Sequence, residues 1–163
     1  MYPLLKSKRY FFLGLLLAAL TFGLDQWSKA FVVGHWLTPE HPTIEIAPFF
    51  NLVVVWNYGI SFGMLAAQRQ PMLLTIVSVA IVLVLLVWLY RNASLATACA
   101  LGAIIGGAAG NMADRLQFHA VIDFLDFHIV SYHWPAFNIA DSAIFIGVVL
   151  LCAGSMLNPH HSP

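Results

Sequence analysis

Four long apolar segments dominate a chain of 163 residues. Crossing the hydrocarbon core of a bilayer takes about 20 apolar residues in a helix. Residues 10–31, 71–90, 93–113 and 137–157 each approach that length, and 71–90 carries no charge at all. Charged residues make up 9% of the chain, far below the roughly 25% of soluble domains, and the mean hydropathy is +0.84. The pattern predicts an all-α membrane bundle of four transmembrane helices, forming a single polytopic domain over residues 1–163. A net charge of zero, with no Lys/Arg cluster on any helix, argues against nucleic acid as a partner.

The first segment follows Lys6, Lys8 and Arg9, as a signal peptide would. It runs, however, into Asp25-Gln26-Trp27-Ser28-Lys29, which offers no small-x-small cleavage site. It reads as a retained first helix. With four spans, Lys6, Lys8, Arg9 and Arg91 fall on one side together with both termini, and the positive-inside rule makes that side the cytoplasm. All seven acidic residues, Asp25, Glu40, Glu45, Asp114, Asp123, Asp126 and Asp141, then lie at or near the opposite face. Gly102, Gly106 and Gly110 line one face of the third span and permit close helix contact.

Two segments outside the spans remain. Residues 43–65 are rich in β-branched side chains and predict a small periplasmic β-sheet ending near Gly59 and Gly63. Residues 116–136, with Phe118, Phe124, Phe127, Tyr132 and Trp134, have an interfacial composition. They read as an interfacial loop, with a short helix or an extended conformation both open.

Ionisable groups within spans are costly and often functional. Asp141 lies about 6 Å into a helix beginning at Phe137, with Asn138 on nearly the same face. Asn138 as a helix cap and Asp141 at the positive helix end would explain both without chemistry. Asp123 and Asp126 stand among Val, Ile, Phe and Leu. Loop acids are usually solvated, but this setting would partly desolvate one of them. Asn111, Asp114 and Arg115 close the third span, as a helix end with a local ion pair or as a scaffold for substrate. Asp25 and Lys29, four apart, read first as an intrahelical ion pair. Neither Ser61 nor Ser142 lies in a nucleophile motif, and no Gly-rich phosphate loop appears. Cys99 and Cys152 sit in apolar runs as free thiols, and the histidines have no metal-ligand spacing. No metal or cofactor is expected. Two carboxylates are the most available catalytic pair, because close carboxylates share a proton and can serve as base and acid together.

Five segments together resemble the lipoprotein signal peptidase (signal peptidase II) family: Asp25-Gln26-Trp27-Ser28-Lys29, Asn57-Tyr58-Gly59-Ile60-Ser61-Phe62-Gly63, Gly110-Asn111-Met112-Ala113-Asp114-Arg115, Val121-Ile122-Asp123 and Phe137-Asn138-Ile139-Ala140-Asp141. Their order and placement on four spans carry the resemblance over residues 9–157. The resemblance implies an aspartic endopeptidase of the bacterial cytoplasmic membrane. It assigns the catalytic pair to Asp123 and Asp141, leaves Asp126 a bystander, and implies that Asn57, Asn111, Asp114, Arg115 and Asn138 support the site or touch substrate. Gly59, Asp25 and Lys29, within the same segments, are candidate supports. The implied substrate is a diacylglyceryl-modified prolipoprotein cut just before its lipidated cysteine, and the implied inhibitor is the cyclic peptide globomycin. Membrane lipid is the other expected partner, and a monomer is compatible with this reading. A small transporter or channel using the same acids as ion ligands is the alternative. Its acids belong near the bilayer midplane, whereas these crowd one end. In a second alternative the acids only cap helices of a structural membrane protein.

Overall fold

A computed structural model describes residues 3–36, 42–59, 71–92 and 94–157. Four helices carry the chain: α1 (Pro3–Phe31, continued by a π-helical turn at Val32–Trp36), α2 (Pro71–Asn92), α3 (Leu95–Phe118) and α4 (Ile139–Leu157). All four are long and apolar enough to cross a membrane. Proline opens α1 and α2, a position where its missing N–H costs nothing. Ser94 caps α3 by accepting from the Thr97 backbone N–H at 3.2 Å. His119 ends α3 in the left-handed region, φ 58°, with its N–H on the Arg115 carbonyl at 3.1 Å.

Helix α3 is the hub, buried against both α1 and α4. Small residues make this possible. A Cβ added to Gly102 would come within 2.5 Å of the Gly14 carbonyl on α1, and Gly107 lies equally close to the Ala140 carbonyl on α4. Gly106 abuts the Ala18 carbonyl. In lipid, where apolar burial between helices gains little, such backbone approach supplies packing energy. The outer faces of α1, α2 and α4 expose large apolar residues such as Leu24, Val84 and Phe145, the arrangement expected of a lipid-facing surface. Leu89 of α2 is fully buried against Ala98 and Leu101 and ties that helix in.

A four-stranded antiparallel sheet sits at one end of the bundle, in the order β1 (Thr43–Ala47), β2 (Phe50–Asn57), β3 (Val121–Ile129), β4 (Tyr132–His133). Val32, Leu52 and Phe124 form its core, with Ile139 packed alongside. The strands expected in 43–65 are present at 43–47 and 50–57; residues 60–65, including Ser61 and Gly63, lie outside the described ones. Segment 116–136 is neither a short helix nor an open loop. Helix α3 runs on through Phe118, and β3 and β4 then join the sheet. The expected end of that span, at residue 113, followed hydropathy, but backbone hydrogen bonding continues under polar side chains until His119 stops it. Past the hairpin, Phe137 returns to β3: its carbonyl accepts from Phe124 and Leu125 at 3.0 and 2.9 Å, and its N–H donates to the Leu125 carbonyl at 3.1 Å. This bridge fixes the start of α4 beside the middle of β3.

Candidate active site

Asp123 is the third residue of β3 and Asp141 stands in the first turn of α4. A short chain of amides joins them. Asn138 Nδ2 donates to Asp123 Oδ1 at 2.8 Å and to Asn111 Oδ1 at 3.1 Å. Asn111 Nδ2 in turn donates to Asp141 Oδ1 at 2.8 Å. The second carboxylate oxygen of Asp123 accepts from Asn57 Nδ2 at 2.9 Å, and the Gly59 N–H on Asn57 Oδ1, at 3.0 Å, holds that amide in the orientation required.

Asn138 and Asp141 also form a reciprocal cap. Asn138 Oδ1 accepts the Asp141 N–H at 2.8 Å, while Asp141 Oδ2 accepts the Asn138 N–H at 3.3 Å. The geometry is that of a capping box. The capping explanation is therefore present, but it leaves Asp141 Oδ1 aimed at Asn111 and so does not account for the whole arrangement.

Asp123 is 2% exposed. Burial pushes its carboxyl up to about 7, the charge of Asp141 pushes the same way, and the bonds from Asn57 and Asn138 and the charge of Lys29 only partly oppose this. A carboxyl holding its proton to near neutrality, beside a second carboxylate, has the properties of an acid–base pair. Asp141 also opens on a cavity of about 400 Å³ lined by Trp134, Phe137, Ser142, Phe145 and Ile146. An acidic group at the mouth of an apolar cavity suits a substrate with an apolar body and one polar bond to be attacked.

The remaining expected residues divide. Asp25, Lys29 and Asp114 form a buried cluster behind the pair: Lys29 Nζ lies 2.8 Å from Asp25 Oδ2 and 2.7 Å from Asp114 Oδ2. The intrahelical pair of Asp25 and Lys29 is thus present. The local ion pair expected at the end of α3 is not seen within 4.0 Å among the described residues: Asp114 turns to Lys29, and Arg115 donates to the Asn111 carbonyl at 3.4 Å while its charge acts on Asp141, Asp114 and Asp123 from farther off. Asp126, expected to be solvated, is buried and bonded to buried Asn51 and to His133, which is half exposed, because strand pairing brings those partners to it. Ser142 donates to the Asn138 carbonyl at 2.9 Å, which commits its hydroxyl to the backbone. Gln26 was not singled out, yet its side chain donates to Asp25, Asp114 and the Gly110 carbonyl. Its place beside Asp25, one residue along the same segment, was the available signal.

Residues 17–157 match the family described as signal peptidase (SPase) II. The chain belongs to the signal peptidase II family. Curated relatives named lipoprotein signal peptidase include one from Aeromonas hydrophila, 48% identical over 83% of each chain, and one from Alteromonas mediterranea, 46% identical over 83% of this chain and 75% of the relative. Two solved bacterial membrane enzymes share the fold. One superposes with a TM-score of 0.80 at 27% identity, covering 92% of this chain and 91% of its own, and the other with a TM-score of 0.74 at 29% identity. Signal peptidase II membership and four apolar helices make this a multi-pass membrane peptidase.

Proposed function

We propose that this peptidase removes the signal peptide from diacylglyceryl-modified prolipoproteins, cutting just before the lipidated cysteine with a water activated between Asp123 and Asp141. The carrying observation is the Asp123–Asn138–Asn111–Asp141 chain, which aims two carboxyl groups from separate elements into one neighbourhood. With one proton between them, the ionised member takes a proton from water as the water oxygen attacks the scissile carbonyl carbon. The protonated member gives its hydrogen to the carbonyl oxygen. When the diol collapses, the leaving nitrogen takes a proton from the first carboxyl and the second regains its own, restoring the pair. Asn57, Gly59, Asn111, Asn138 and Arg115 orient the carboxylates or meet the substrate backbone, Arg115 through its planar fork.

The substrate reading is supported by the relatives' name and by the setting. A signal peptide is itself an apolar helix, and its lipid occupies the outer half of the bilayer, so both deliver the scissile bond to the rim where Asp141 stands beside its apolar cavity. Lys8, Arg9 and Arg91 at the opposite end argue for cytoplasmic termini and an outer-face site. Globomycin is the expected inhibitor, acting on a single polytopic domain in monomeric form.

The test is to change Asp123→Asn and Asp141→Asn separately and follow a lipidated precursor. Each should lower cleavage about 1,000-fold, within the range for loss of a positioned acid or base, in protein that still folds. Normal processing by either variant removes that residue from the mechanism.

A further inference from the structure

Among the described residues, two backbone N–H groups are held by carboxylates from distant elements. Asp114 Oδ2, on α3, accepts the Ile122 N–H at 3.1 Å. Asp25 Oδ1, on α1, accepts the Ala140 N–H at 2.9 Å. Ile122 immediately precedes Asp123, and Ala140 immediately precedes Asp141. Each member of the pair thus follows an amide gripped by a buried acid.

The two grips are joined. The ammonium of Lys29, 2% exposed, has three hydrogens and three oxygens around it: Asp25 Oδ2 at 2.8 Å, Asp114 Oδ2 at 2.7 Å and Asn111 Oδ1 at 3.2 Å. Gln26 Nε2 adds a second link, at 3.1 Å to Asp25 Oδ2 and 2.9 Å to Asp114 Oδ1. Buried ion pairs are weak evidence for stability, since apolar replacements often serve as well. Their presence here therefore asks for another reason. An ionic cluster with every donor matched has one low-energy geometry, and the elements it joins cannot drift apart without breaking a charged bond.

We propose that Lys29, with Asp25 and Asp114, is a positioning assembly that sets the separation of the two aspartates by fixing the backbone N–H of the residue before each. The proposal rests on the two-aspartate reading above. These three residues act through the backbone and touch no reacting atom. Asp114 registers β3, Asp25 registers α4, and Lys29 holds both to a common origin on α1 and α3. Misplacement of a reacting group by about 1 Å costs on the order of 100-fold in rate, so kcat should carry the effect while KM moves little.

The experiment compares Asp25→Ala and Asp114→Ala with Asp25→Asn and Asp114→Asn, because asparagine keeps an acceptor oxygen for the amide. In full-length protein in lipid, each alanine variant should lose about 100-fold in kcat with KM within about threefold. Each asparagine variant should stay within about tenfold of wild type. Hydrogen exchange gives a readout independent of turnover. Asp114→Ala should deprotect the Ile122 amide and leave Ala140 protected; Asp25→Ala should do the reverse. Alanine variants that keep wild-type kcat, or deprotection that spreads equally to both amides, overturn the assembly. If the alanine variants do not fold, the asparagine pair decides, and a loss beyond tenfold in those overturns it. Normal processing by Asp123→Asn would instead defeat the two-aspartate reading, whatever the exchange data show.

Discussion

Asp123 and Asp126 stand three residues apart on one strand, both buried, and their surroundings have little in common. An odd spacing sends them to opposite faces of β3. Asp123 meets two amide donors and the charge of Asp141, which leaves its proton poised near neutrality. Asp126 meets Asn51 Nδ2 at 3.1 Å and His133 Nδ1 at 2.9 Å, and the His133 ring stacks on His128. One acid faces a like charge and a cavity-lining partner; the other faces an amide and an imidazole. Burial is common to both, so burial alone does not tell them apart. What differs is the sign and direction of the neighbours.

The sharpest way to break this contrast is to remove the shared amide. Asn138→Ala deletes the donor to Asp123, the link to Asn111 and the cap on the Asp141 N–H at once. Cleavage should fall by roughly 100-fold or more, and retention of activity above a tenth of wild type would show that the amide chain is ornamental. A smaller effect concerns pH. Asp123 carries its proton below about 7 and loses it above. The two-aspartate mechanism proposed above needs that proton, so on that reading kcat/KM should decline about tenfold per unit above the transition, with the apparent value belonging to the pair. A flat profile to pH 9 contradicts this. The smallest effect is expected at the other acid. Asp126→Asn should keep turnover within about twofold and keep the same alkaline decline, while lowering stability by no more than about 1 kcal/mol, because its partner His133 is half exposed. Thermal unfolding in detergent together with precursor cleavage measures both. A large loss of turnover would place Asp126 in the mechanism.

The sequence makes this contrast only partly legible. The spans follow from hydropathy because lipid leaves the backbone no alternative to helix, and the β-branched run at 53–55 shows a strand for the converse local reason. Asp123 and Asp126 are indistinguishable by spacing, since both stand among the same apolar residues; the resemblance to signal peptidase II separated them. The partner of Asp126 is set by the register of the β3–β4 hairpin, where His133 pairs opposite His128, and no local signal encodes that register. The grips on Ile122 and Ala140 are harder still to foresee. They involve backbone N–H groups, which every residue but proline possesses, so nothing in the letters 122 or 140 marks them.

Gly110 lies where the Asp25 carboxylate presses against α3, with no room for even a methyl group between them. The reach of Asp25 to the head of α4 therefore depends on an atom that is missing from a third helix. A Gly110→Ala change would leave every charged group in the molecule intact and still act as a spacer, pushing the Asp25 carboxylate off its place and with it the hold on the Ala140 N–H. In that sense the smallest side chain in the bundle is its gauge block.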